Sequence, residues 1–169
     1  MKAIYKLKPL PKSLGEAFLE AVKEADYLYN SNPDLYAPQS ANWHNTTTNP
    51  ITGKNICEIC LAGALIANAK VPPTIYAEPH WRESDNKPHY FNHTDSKKLM
   101  AIDSVRNGEY ERSCELWYNT QIDKNMTIKL KNVFSPQTRH PIEWNKIEEW
   151  DNILPLLKNR GQILIKENI

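Results

Sequence analysis

The chain has 169 residues, the size of one ordinary domain, with 40% apolar and 24% charged residues. That composition reads as globular rather than disordered and can supply a core without metal or disulfide staples. Its 21 basic and 20 acidic residues are well mixed and sum to +1, whereas nucleic-acid binders ordinarily carry a basic excess or stripe to neutralise phosphate.

The other global signals point the same way. The nearest approach to a basic stripe, Lys124, Lys129, Lys131 and Arg139, is spread over a region without base-stacking repeats, so nucleic acid is not an expected partner. Three cysteines, an odd number, argue against a secreted disulfide framework. Basic residues interrupt the apolar ones in Met1–Lys8, leaving no signal-peptide core. The longest apolar run, Leu61–Ala67, is far short of the ~20 residues of a membrane span. A cytoplasmic protein with no membrane partner is expected, and the Asn-X-Thr triplets at Asn45, Asn92 and Asn125 are then chance matches.

In chain order, Ala3–Leu7 reads as an opening strand. Ser13-Leu14-Gly15-Glu16 has the capping-box pattern, and Leu14, Phe18, Val22, Ala25 and Leu28 follow at helical spacing. This first helix should run to about Asn30, ahead of Pro33. Ser31–Ile56 is polar and broken by prolines, the profile of a binding loop or lid, with Tyr36 and Trp43 as points where it packs down. The stretch at about 56–70 is apolar on almost every side, as a helix surrounded by others must be. Gly63 inside it should serve close approach of a neighbouring backbone.

Residues 73–92 are irregular and rich in histidine and aromatics. Thr94 or Asp95 should cap a third helix carrying Leu99, Met100, Ile102 and Val105, and Asn107-Gly108 should turn into a fourth with Tyr110, Cys114 and Trp117. Met126, Ile128 and Leu130 alternate with polar residues, a strand signal. A further helix is expected over about 143–160, kinked or restarted at Pro155 and ended by Gly161, before a closing strand at Gln162–Lys166. The expected fold is α+β, mainly α. A helical body surrounds the central apolar helix and carries a small antiparallel sheet, in a single domain over 1–169 without repeats or linkers.

Cys57-Glu58-Ile59-Cys60 offers the sharpest chemistry. Placed at a helix N-terminus, a thiol is acidified by the helix dipole and free amides, so Cys57 could act as a nucleophile with His80, His89 or His93 as base. His44 and His140 are further candidates. Buried cysteine in the core is the plainer alternative. The same pair is half a zinc site, but no second pair stands at matching spacing, so neither metal nor cofactor is expected. Ile51-Thr52-Gly53-Lys54-Asn55 lacks the earlier glycine and following hydroxyl of a Walker loop, leaving only weak anion binding at a helix N-terminus. Trp81, His89, Tyr90 and Phe91 could wall a pocket for a planar ligand or simply pin a loop.

Asn32-Pro33-Asp34-Leu35-Tyr36, Trp43 and Cys57-Glu58-Ile59-Cys60-Leu61-Ala62-Gly63-Ala64 together resemble a pattern in small phage and bacterial proteins, in which a helix is followed by a tryptophan-bearing loop and a cysteine-containing helix with an alanine–glycine step. Leu99–Gly108 is similar to a segment of some phage members. The resemblance implies a phage or bacterial-host source and brings no assigned activity. The function expected on these grounds is a non-enzymatic accessory protein of phage type. It would bind a host or defence component, either a protein or a small nucleotide-like ligand, in the host cytoplasm. Trp43, Lys54, His80, Trp81 and Tyr90 are its expected contact residues. The alternative is a thiol-dependent hydrolase or transferase with Cys57 as nucleophile.

Overall fold

A computed structural model describes residues 8–68 and 93–169. Among the described residues, six α-helices and a three-stranded sheet make an α+β fold dominated by helix. The order is α1 (Leu14–Ser31), β1 (Tyr36–Pro38), β2 (His44–Thr48), β3 (Asn55–Ile59), α2 (Leu61–Asn68), α3 (His93–Arg106), α4 (Tyr110–Tyr118), α5 (Lys124–Val133) and α6 (Ile147–Lys166). Among the described residues no helix is long and apolar enough to cross a membrane.

Helix α1 begins where its cap sits, with Ser13 Oγ accepting the Glu16 amide at 3.2 Å. Its inward stripe, including Leu14, Phe18, Val22 and Leu28, is buried. It packs against both α2 and α6. The crossing with α6 rests on two glycines. A Cβ on Gly15 would stand 2.8 Å from the Ile165 backbone nitrogen, and one on Gly161 would stand 2.4 Å from Leu19 Cδ2. Gly161 therefore does not end α6, as its propensity suggested; it seats the helix against α1. Gln162–Lys166 continues α6 rather than forming a closing strand, and Leu164 is wholly buried within it. Pro155 lies on the exposed side of α6, where water can satisfy the carbonyl it leaves unpaired.

The sheet arises from the polar segment that looked like loop. β1 pairs parallel with β3 (Tyr36 opposite Cys57), and β2 pairs antiparallel with it (His44 opposite Ile59, Thr48 opposite Asn55), so the sheet is mixed rather than antiparallel. The β2–β3 hairpin closes through Asn49, whose Oδ1 accepts the amides of Ile51 and Thr52 at 2.9 and 3.1 Å. Gly53 takes the positive φ of 67° that the turn requires. Ala3–Leu7 and residues 73–92 lie outside the described residues.

The 126–131 alternation is helix, not strand. Asp123 caps α5 by accepting the Met126 amide at 2.8 Å. Met126, Leu130 and Phe134 recur every fourth residue, and the latter two are buried while Ile128 is 56% exposed. The apolar helix survives in shortened form: α2 starts at Leu61, because Ile56–Ile59 belongs to β3. It is surrounded as expected, with Leu61, Ala62 and Ala64 fully buried.

Candidate binding cleft

Strand β3 changes the standing of the cysteines. Cys57 sits within the sheet, not at a helix N-terminus, so the dipole that would acidify it is absent from its position. Burial, aided by the charge of Glu58, pushes its thiol up to about 12. Cys60 occupies the turn before α2, where the amides of Ala62 and Gly63 reach its sulfur, yet burial and the nearby Asp103 carboxylate raise it well above the ordinary thiol value. Cys114 is raised to about 12 by burial. All three are free, buried thiols, protonated at neutral pH. His80, Trp81, His89 and Tyr90 fall outside the described residues, and His93 is the first residue of α3. Lys54 is exposed at the end of the hairpin turn, and Ile51–Asn55 leads into a strand instead of a helix, so no helix dipole addresses an anion there. Among the described residues no group of three His, Cys, Asp or Glu side chains could hold a metal.

Of the two expected contact residues that are described, Trp43 lines a cavity. A cleft of about 540 Å³ opens between the segment 41–45 and helices α3 and α4, lined among others by Trp43, His44, Met100, Asp103, Asn107 and Arg112. Its volume falls in the range of small-ligand sites. The 41–45 wall is held against α2 by Gly63, where a Cβ would stand 1.7 Å from the Trp43 carbonyl oxygen. That is the close backbone approach expected from this glycine. Asn45 Nδ2 donates to Glu58 Oε2 at 3.1 Å, which fixes the amide and leaves its carbonyl available.

Asp103 forms the cleft's inner floor. Its carboxylate accepts from the Trp43 side chain and the Ala62 amide, and the Cys60 thiol donates to its Oδ1 over 3.6 Å. Burial raises its pKa to about 6, against the lowering effect of Arg106 and these donors. Arg106, one turn on, donates to the Ile142 carbonyl at 2.9 Å and lies 5.7 Å from the Trp144 ring. At the mouth, Arg112 pairs with Glu109 at 3.5 Å, both side chains largely exposed.

The sequence carries a signal for Asp103. Leu99, Ile102, Asp103 and Arg106 stand at i, i+3, i+4 and i+7, so two charges occupy the stripe that otherwise faces the core. A carboxylate there needs either a partner or a ligand, and that is the signal its spacing carries.

No protein-family model matches the sequence, and neither a curated protein nor a solved structure matches it.

Proposed function

We propose that the chain is a binding protein and that the cleft above Asp103 is where it engages its partner, a host or defence component. The observation that carries this reading is an ionisable carboxylate at the floor of a preformed cavity whose walls are fixed by Gly63 and by the Asn45–Glu58 bond. Catalysis through Cys57 gains no support from a thiol that is 4% exposed and raised to about 12. The test is native mass spectrometry of the protein purified from cells, beside the same sample denatured and beside Asn107→Trp, which fills the cleft from its edge. Extra mass on the native wild type that is missing from a folded Asn107→Trp supports the reading. The same mass on both proteins would place the binding elsewhere and overturn it.

A further inference from the structure

Charge is segregated in the C-terminal part of the chain. Residues 124–142 hold four cations, Lys124, Lys129, Lys131 and Arg139, and no carboxylate. Residues 143–151 hold four carboxylates, Glu143, Glu148, Glu149 and Asp151, with Lys146. All of these side chains are exposed. Among the described residues none of them is in an ion pair.

Each set borders an apolar side chain that the fold leaves out of its core. On α5, Ile128 is 56% exposed and stands one turn from both Lys124 and Lys131, with Lys129 beside it. On α6, Leu156 is exposed to the same 56%. It follows Glu149 by seven residues and precedes the partly buried Ile163 by seven, so the three share one flank, with Glu148 at its N-terminal edge.

Helix electrostatics account for only one of the two sets. Glu148 and Glu149 stand in the first turn of α6, where the dipole favours carboxylates, but Lys124 opens α5, where the dipole disfavours a cation. An apolar residue rimmed by cations on one helix fits an apolar residue bordered by carboxylates on another. The spacings agree as well. Lys124 to Ile128 is about 6 Å of helix axis and Glu149 to Leu156 about 10 Å, and an extended lysine side chain spans the difference. With a charge of +1 on the whole chain, two copies approach with little overall repulsion.

We infer that α5 of one molecule docks on the α6 flank of a second copy, Ile128 against Leu156, with the lysines reaching Glu148 and Glu149. The contact is independent of the cleft above Asp103. A multiple of the chain's own mass in a native spectrum reports this contact, whereas a cleft partner adds a mass of its own.

The test is sedimentation velocity at low salt, from micromolar to millimolar concentration, on the wild type and three variants. One carries Lys124→Glu, Lys129→Glu and Lys131→Glu. A second carries Glu148→Lys and Asn152→Lys and keeps Glu149, whose Oε2 accepts the Asn145 amide at 2.6 Å. The third is Ile128→Ser. Wild-type association should weaken about tenfold in either charge variant alone and at high salt. Mixing the two charge variants should restore it to within about threefold, because the acidic α5 of one then meets the basic α6 of the other. Ile128→Ser should weaken it about tenfold with no change of charge. Should the triple variant unfold α5, Ile128→Ser and the salt series carry the question. A wild type that stays monomeric at millimolar concentration, a mixture no stronger than its parts, or an Ile128→Ser that associates like wild type each overturns the inference. Shifts of the α5 amides of a monomeric wild type on adding poly-L-glutamate would replace the second copy by an acidic protein, and shifts with a DNA duplex would replace it by nucleic acid.

Discussion

The last turn of α3 has a buried charge on either side, and the two are treated in opposite ways. On one side Arg160 of α6, 6% exposed, donates to the carbonyls of Val105 at 3.0 Å, Arg106 at 2.5 Å and His140 at 2.7 Å, and also to that of Thr138. It lies 5.6 Å from the Tyr110 ring. The cation thus closes the C-terminal end of α3 and holds the segment 138–140 to it, with the helix dipole favouring its charge. On the other side Asp103 is bound by three donors and keeps an acceptor facing a cavity. A fully enclosed charge builds structure, and a charge left partly open is available for recognition. Burial lowers the Arg160 pKa and raises that of Asp103, as desolvation requires of a cation and an acid.

The largest effect should come from breaking the closed side. Arg160→Met keeps the aliphatic stem and removes four charge-assisted hydrogen bonds; the Val105, Arg106 and Thr138 carbonyls retain the Gly108 amide, the Ile142 amide and the Tyr110 hydroxyl as donors, and the net cost is about 3–5 kcal/mol. For a chain of this length that lowers Tm by roughly 10 °C or more, measurable by circular dichroism. Arg160→Lys should recover part of the loss, since an ammonium cannot span carbonyls from two segments. A loss under about 1 kcal/mol would show that water replaces the guanidinium.

Gly63→Ala comes next and attacks the cleft from behind. Its Cβ cannot coexist with the Trp43 carbonyl at 1.7 Å, so segment 41–45 must lift away from α2. The expected cost is about 3 kcal/mol, with the amides of 41–45 exchanging faster than those of α1. Protection unchanged in 41–45 would mean that α2 moved instead.

The third prediction uses pH. The folded state raises Asp103 from 3.8 to about 6, so between these values the native protein binds more protons than the unfolded chain. Stability contributed by protonated Asp103 is therefore present below pH 4 and lost as pH rises through 6. Asp103→Asn lacks this titration, so the wild type should lose about 1–2 kcal/mol relative to it between pH 4 and 6.5. Partial exposure screens the full shift. The difference between the two proteins isolates Asp103 from Glu109, Arg112, His44, Cys60 and Arg106, which surround it in both. A flat difference curve would mean the site stays hydrated enough to keep an ordinary carboxylate.

How far these features were legible depended on the range of the interactions behind them. The Ser13 cap, the α1 stripe and the Asn107–Gly108 turn are local, and local pattern suffices for them. The close approach at Gly63 also follows from one residue in an apolar helix. The α6 ending did not, because Gly161 and Gly15 act together across 146 positions of sequence, and a lone glycine near a helix end looks like a stop signal. Residues 126–131 satisfy both a two-residue and a four-residue period, and Phe134, beyond the window, decides for helix. The sheet was hidden in a polar, proline-broken segment whose strands are three to five residues long. Trp43 was expected from the sequence as a contact residue of the 31–56 segment, and it lines the cleft. Asp103 was not, since its partners Trp43, Cys60 and Ala62 come from other elements.

The smallest expected change in stability is also the sharpest test of the open side. Arg112 is more than half exposed and, among the described residues, pairs with Glu109 at 3.5 Å, so Arg112→Ala should alter stability by less than about 0.5 kcal/mol. The Asp103 floor and the Trp43 wall are untouched by it. Extra mass carried by the native wild type should therefore persist on Arg112→Ala in native mass spectrometry. Loss of that mass from a folded Arg112→Ala would mean that this side chain touches the ligand itself, and that recognition is centred at the mouth of the cleft instead of its floor.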